Sequence, residues 1–462
     1  MGEAKLYGQN KGGMSINGII KDYYAYAGEN ISAGDLVEYI KGVAGKKDYG
    51  ESVDTQLSAE TKSGYTISAV QLDENRVFVA HSYGSDYHLY GIVCKIDGAN
   101  ITYGTDTQLN STQYSGHKIS SVLLNDGKVF IAHRRGSTYL NGIVCTINGT
   151  TIVTGTDTAI SSNSYSGNTF SVELLPDNKV FIAHSYSAGY LYGIVCTINA
   201  TAITTGTDTA INSSTSGSGA YISTCPLSDK VFIAHSYGSL NHLYGIVCSI
   251  SGTTISKGSD TVISNSSDNT GVRMSTTKLD DNRVFISYAH TDSSSYLNGI
   301  VCAISDMTFT KGAETLIDQA VYSAYSMSTV KVADNKVFIA HSKSNDFHLY
   351  GVICTISDKV ITPCVDTKLN DSTYVSYIIK SLLLNNGTIL IAHGYSTDYL
   401  LNAQIFGIDE ENNIPTNVVE AKEYETQVRK TTTTQFDGVA KTSGTGGDDI
   451  GHNDLVSIWT KG

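Results

Sequence analysis

Seven histidines recur along the chain at nearly constant spacing: His81, His133, His184, His235, His290, His341 and His393. Imidazoles ligate metals and titrate near neutrality, so a ring of them around a channel would suit a metal centre or a pH-responsive pore. Metal ligation, however, needs three or four donors converging within about 2.1 Å of one ion. Side chains spread around a symmetric ring do not converge in that way. The chemistry left is a hydrogen bond repeated once per unit, with the acid of a second recurring motif as a candidate acceptor. That motif is Asp-Thr-x-Leu/Ile, beginning at Asp54, Asp106, Asp157, Asp208, Asp260, Glu314 (the one glutamate) and Asp366. It lacks the alternating carboxylates of a calcium loop. Its acid is expected at a turn or strand start, bonding nearby backbone N–H groups. No metal and no cofactor is expected.

Catalytic signatures are missing from the sequence. There is no G-x-S-x-G, no H-E-x-x-H and no phosphate loop. Regular repetition also argues against an enzyme, because an active site breaks the symmetry of a repeat. Six of the eight cysteines (Cys94, Cys145, Cys196, Cys248, Cys302 and Cys354) stand at one position of the repeat inside apolar segments. They read as reduced core thiols, as in a protein made in a reducing cytoplasm. The binding candidates lie in the loop after each histidine, where Tyr, Ser and Gly concentrate: Tyr83, Tyr87, Tyr139, Tyr186, Tyr190, Tyr237, Tyr296, Tyr395 and Tyr399. Tyr gives a large contact area at low entropic cost, and a rim of such loops suits stacking on a glycan.

The elements that must position these residues follow from the repeat itself, whose period is about 51–55 residues. Each unit carries Asp-Thr-x-Leu, an alternating segment such as Ile67–Leu72, the Val-Phe-Ile-Ala-His segment, and Leu-Tyr/Asn-Gly-Ile-Val-Cys-x-Ile. All four are short, β-branched or aromatic, and separated by turn residues, which reads as a four-stranded meander. Seven such units predict an all-β protein built on a seven-bladed β-propeller, because ring closure removes the edges a linear stack would expose. The fifth unit reads Val284-Phe-Ile-Ser-Tyr-Ala-His290, which places its histidine two residues late, as a bulge would.

Outside the repeats lie residues 1–46 and 410–462, with the propeller expected over 47–409. The first end carries Gly28-Glu-Asn-Ile31-Ser-Ala-Gly-Asp35-Leu-Val37; the second carries Gly438-Val439-Ala440, a Gly-rich loop at 443–447 and Leu455–Trp459. These motifs resemble the small β-barrel modules of tailed-phage virion proteins, found in capsid decoration proteins and in tail-fibre attachment regions. The resemblance covers about 100 residues and departs from the modules in one respect: some 390 residues separate the halves. It implies a split β-barrel-like domain made by both ends, because a closed propeller brings its termini together. It further implies a virion structural protein, made in a bacterial host without a signal peptide. Attachment would run through Ile31, Asp35, Val37, Val439, Leu455 and Trp459 to other capsid or tail proteins. The propeller would be displayed as a non-catalytic adhesin for host-surface glycans, with homo-oligomers on the particle compatible with this. The alternative is a cellular lectin-like or scaffold propeller.

The net charge of −13 gives no basic surface for phosphates, so no nucleic-acid partner is expected. No apolar run reaches the roughly 20 residues of a membrane span, so no membrane partner is expected either.

Overall fold

The computed structural model describes residues 21–27, 36–136, 138–163, 166–186, 190–212, 221–238, 241–264, 273–290, 296–320, 326–343, 348–370, 375–395, 398–409, 412–430, 438–440 and 455–460. The described residues are strands, turns and bends, and no helix among them is long and apolar enough to cross a membrane. The chain divides into two compact units, Gly50–Val419 and the pair Met1–Tyr49 with Glu420–Gly462.

Gly50–Val419 is a seven-bladed β-propeller. In the first blade the inner strand Ile67–Gln71 pairs with Arg76–Tyr83, which pairs with His88–Asp97. The fourth position is split between Asn100–Tyr103 and Thr107–Asn110, which pair with opposite halves of the third strand. The Asp-Thr-x-Leu segment therefore ends a blade. Thr55–Ser58, from the start of the unit, pairs with Leu400–Asp409 and completes the seventh blade, closing the ring. Ile414–Thr416 is the other half of that blade's outer position, so the unit runs to 419 where the sequence had suggested 409.

Packing between blades explains the repeated sequence. The Val-Phe-Ile-Ala-His strands are buried throughout, and alternate residues face the two neighbouring blades. Phe78 and Ala80 of the first blade pack against Val129, Ile131 and Cys145 of the second. Burying one Phe contributes about 1.5–3 kcal/mol, and the pattern recurs at Phe130, Phe181, Phe232, Phe285 and Phe338. Gly91 of the Leu-Tyr-Gly motif makes room for this ring, since a Cβ there would lie 2.9 Å from Phe78. All eight cysteines are free, and burial pushes the thiols of Cys94, Cys145, Cys196, Cys248 and Cys302 up to about 12. They are inert fillers.

Around the axis, hydroxyls staple one inner strand to the next. Ser68 meets Ser121 at 2.8 Å, Ser171 meets Thr224 at 2.6 Å, Ser223 meets Thr276 at 2.9 Å, and Ser381 donates to Ser328 at 2.8 Å.

In the second unit, strands from both ends pair with one another in the order Lys21–Ala27, Val418–Lys430, Leu36–Glu51, Gly438–Ala440, Leu455–Thr460. The last strand returns to the first, with Asp22 opposite Trp459 and Tyr26 opposite Leu455. Val37 stands opposite Gly438, and Val439 opposite Trp459. Ile31 and Asp35 lie outside the described residues.

Candidate functional site

The histidines do not ring the channel. Each of the six on the pattern sits buried on a second strand, inside its own blade. His81 Nε2 lies 2.9 Å from Asp106, and the equivalent pairs are His133–Asp157 at 3.0 Å, His184–Asp208 at 2.9 Å, His235–Asp260 at 3.0 Å, His341–Asp366 at 2.9 Å and His393–Asp54 at 3.2 Å. Of the two roles the sequence suggested for the acid, partner of the histidine and partner of nearby backbone N–H groups, these clamps show the first. The threonine beside it takes the local role, Thr107 Oγ1 donating to the Thr105 carbonyl at 3.0 Å. In the first blade, His81 Nδ1 faces the Ser82 carbonyl at 2.7 Å. The ring is thus held at both nitrogens, by a backbone carbonyl on one side and the carboxyl group of Asp106 on the other.

The acid also ties adjacent blades together. Asp157 accepts from Asn141 of its own blade at 2.8 Å and from Asn110 of the preceding one at 2.7 Å. Burial alone would push the Asp157 carboxyl up. The hydrogen bond and charge of His133, with the two amides, outweigh burial and hold it down to about 2.

The fifth blade departs from this plan. Its second strand pairs with Tyr296–Ser305 without a bulge, so Tyr288 takes the histidine position and His290 falls two residues beyond it. The buried Tyr288 hydroxyl donates to Glu314, and His290 Nε2 stands 4.0 Å from the same carboxylate. The exceptional tyrosine and the exceptional glutamate are therefore partners.

The sixth blade brings Asp318, His341 and Asp366 within 4.8 Å of one another, as a metal site would. Its cation is the chain's own Lys343, 3.0 Å from Asp318, 2.6 Å from Asp366 and 4.0 Å from the Tyr350 ring centroid. Charged residues of the inner strands include Glu173 and Lys380. Glu173 stands where Val70 and Val122 stand in other blades, and Lys380 where Ser68 stands. Burial pushes the Glu173 carboxyl up to about 7 against the pull of the Thr224 hydroxyl, which donates to it at 2.7 Å, and of the Lys380 charge.

The loop tyrosines divide into groups. Tyr83, Tyr186 and Tyr237 stack on Tyr90, Tyr192 and Tyr244 of the adjoining strand, with centroids 3.9, 4.2 and 4.3 Å apart. Tyr190 and Tyr296 begin third strands, opposite Tyr186 and His290. Tyr395 packs against the core between the sixth and seventh blades. Tyr139 is 45 % exposed and stands apart from these contacts.

Tyr87 and Tyr399 belong to a different arrangement. Tyr65 lies 4.9 Å from Tyr87, 5.6 Å from Tyr399 and 5.6 Å from His117, while Tyr87 is 6.1 Å from Tyr114. The rings form one continuous, partly exposed cluster over the seams joining the seventh, first and second blades. Three of these residues, Tyr87, Tyr114 and Tyr399, have φ of 52°, 64° and 54°. The left-handed region is unfavourable for a bulky side chain, and strain of this kind collects at functional positions. The seam enforces it. Gly116 N–H donates to the Tyr87 carbonyl at 2.6 Å and Tyr114 N–H to the Asp86 carbonyl at 2.8 Å, with Gly64 and Lys62 repeating the pattern on Tyr399 and Asp398. The glycines are obligatory, since a Cβ on Gly116 would meet the His88 carbonyl at 2.4 Å.

Cations frame the cluster. Lys62 Nζ lies 4.5 Å above the Tyr87 ring and the Arg134 guanidinium 5.9 Å from the Tyr114 ring. Arg134 Nη1 donates to His117 Nδ1 at 3.2 Å, so this imidazole accepts and is neutral. Burial, followed by the charges of Arg134 and Lys118, pushes the His117 ring down to about 4. Tyr65, Tyr114 and His117 were not singled out from the sequence because they lie before the first strand of a unit, away from the loop that follows each histidine. The Ser-Gly pairs Ser63-Gly64 and Ser115-Gly116 just before Tyr65 and His117 were the available signal.

No protein-family model and no curated protein sequence matches the chain. Among solved structures, the BP39L lectin of Burkholderia pseudomallei is similar with a TM-score of 0.58 at 12 % identity, covering 79 % of this chain and 98 % of that one. A putative 6-phosphogluconolactonase of Bacteroides uniformis reaches 0.53 at 10 % identity, with 77 % and 100 % covered. One from Bacteroides fragilis reaches 0.53 at 8 %, with 78 % and 99 % covered. What is shared is the β-propeller fold.

Proposed function

We propose that the propeller is a non-catalytic, lectin-like carbohydrate-binding module. The observation that carries this reading is the cluster of Tyr65, Tyr87, Tyr114, His117 and Tyr399, held partly open by strained backbone. Partly exposed rings with hydroxyls at their edges offer a pyranose both an apolar face to stack on and hydrogen-bond partners. A lectin with the same fold supports the reading, and the putative lactonases with that fold make turnover the rival to test. Nothing in the cluster supplies a nucleophile paired with a base. Glycan-array screening followed by calorimetry tests it: binding without release of any product is expected, and turnover of a bound sugar would contradict it.

The unit built from the chain ends carries a second part of the proposal, attachment to a larger assembly. Its motifs resemble virion modules, and its strands interleave both termini. A phage particle is the assembly that resemblance suggests. Mass spectrometry of purified particles is expected to find the chain, and its absence from them would end the virion reading while leaving carbohydrate binding intact.

A further inference from the structure

We infer that the ligand of the aromatic face is an acidic saccharide, a pyranose bearing a carboxylate or a sulfate. The inference rests on the carbohydrate-binding reading and names the charge of its ligand. The protein is strongly acidic overall, and at the opposite ends of the blades several cations are neutralised locally: Arg76 by Asp73 at 2.7 Å, Lys230 by Asp229 at 2.9 Å, Arg283 by Asp280 at 2.7 Å and Lys331 by Asp334 at 3.1 Å. Lys343, on the cluster's side of its blade, is held between two aspartates.

Lys62, Lys118 and Arg134 stand together at the aromatic cluster. Among the described residues none of the three has a carboxylate within ion-pair distance. Of the carboxylates on the same loops, Glu60 accepts from the Thr61 hydroxyl at 3.4 Å and Asp86 from the Gln113 amide at 3.1 Å. Arg134 is anchored through Nη1 to a neutral imidazole, and its buried Nε has no hydrogen-bond partner. A buried guanidinium donor left unmatched is costly unless something else completes it. Arg presents a planar fork that fits a carboxylate or sulfate in two-point fashion, and here the fork stands beside rings suited to sugar stacking. Aromatic surface and unneutralised charge in one place match a ligand that carries both a pyranose face and an anion.

Calorimetry with the full chain tests this, using oligogalacturonate for the carboxylate arm, heparin oligosaccharide for the sulfate arm, neutral galactan oligosaccharide of the same length, and polyphosphate. At least one acidic oligosaccharide is expected to bind about tenfold or more tighter than galactan, with affinity falling as salt rises. Arg134→Gln and Lys62→Met should remove that preference, lowering affinity for the acidic oligosaccharide by a larger factor than affinity for galactan. Arg134→Lys should retain part of it, and thermal melts should confirm that each variant folds. Equal binding of neutral and acidic sugars, or a preference untouched by both substitutions, overturns the inference and leaves the carbohydrate reading standing. Binding of neither sugar type overturns both. Polyphosphate binding as tightly as the acidic sugars, and undiminished by Tyr87→Gly, would reduce the site to general anion attraction and overturn it too.

Discussion

The two ends of the blades solve the problem of a turn in opposite ways. At one end, the hairpins between first and second strands use residues suited to tight reversal. Asp177 and Asn178 take φ of 60° and 52°, and Gly127 takes 77° with nothing within 4 Å of the position a Cβ would occupy. Their lysines and arginines pair with aspartates two or three residues away or next door, and such exposed pairs contribute little energy. A shallow cleft of about 210 Å³ beside Pro176 is lined by these same hairpin residues. At the other end, three of the left-handed positions are occupied by the tyrosines Tyr87, Tyr114 and Tyr399, and Lys62 and Arg134 stand over aromatic rings. The first end terminates strands at little cost. The second accepts strain to hold particular side chains in place, and that difference locates function more sharply than the repeat does.

Glycine substitutions sharpen the comparison most. Gly167→Ala would drive a Cβ to 2.2 Å from the Tyr139 carbonyl at the seam between the second and third blades. It should cost about 3 kcal/mol or more. Gly127→Ala at the hairpin end should cost about 1 kcal/mol, the penalty of its positive φ alone. Denaturant unfolding of the two variants measures the gap, and equal losses would erase the distinction between the ends.

Acid should separate the ends next. The Asp157 carboxyl sits at about 2 in the fold, below its ordinary 3.8. Its stabilising contribution, reduced by solvent screening of this half-buried group to about 1 kcal/mol, is complete above roughly pH 4 and is lost as pH falls through about 2. The Asp54, Asp208 and Asp366 carboxyls are also held down, although burial opposes this, because their clamps donate hydrogen bonds to them. Hydrogen exchange on acidification should therefore show the loops beside the clamps opening before the hairpins at the far end. Asp157→Asn should weaken the acid dependence at the second blade, and an unchanged profile would refute the clamp's role.

The fifth blade offers the smallest and most specific test. If Tyr288–Glu314 replaces a His–Asp clamp as a unit, Tyr288→His and Glu314→Asp should each destabilise. The double variant should recover about 1 kcal/mol of that loss through their coupling. Additive losses in chemical denaturation would mean that the two exceptions are unrelated.

Much of this architecture was readable from the residues. Seven four-part repeats specify a ring of meanders, because strand periodicity and turn residues recur with them. The pairing of histidine with the repeated acid was a reasonable guess, since both recur at one position per unit. Its inward geometry was hidden, because sequence spacing does not tell which blade's outer strand brings the acid to the ring. His290 misled for a related reason. Matching residue type along the strand suggested a shifted histidine, whereas register kept the strand regular and put Tyr288 in its place. The aromatic face was half readable. Tyr87 and Tyr399 lie in recurrent loops, Tyr114 has sequence counterparts at Tyr165, Tyr322 and Tyr374, and Tyr65 at Tyr325 and Tyr377, whereas His117 has none, and only folding around the ring brings the three loops together.

The most direct test is calorimetric titration of wild type and Tyr87→Gly with an oligosaccharide selected on an array. Removing the ring while giving the φ of 52° to the residue that tolerates it should leave the melting temperature unchanged or higher. Affinity should fall by a factor of about 30 or more, as loss of a central aromatic contact does. Undiminished binding by a fully folded Tyr87→Gly variant would contradict the assignment of this face.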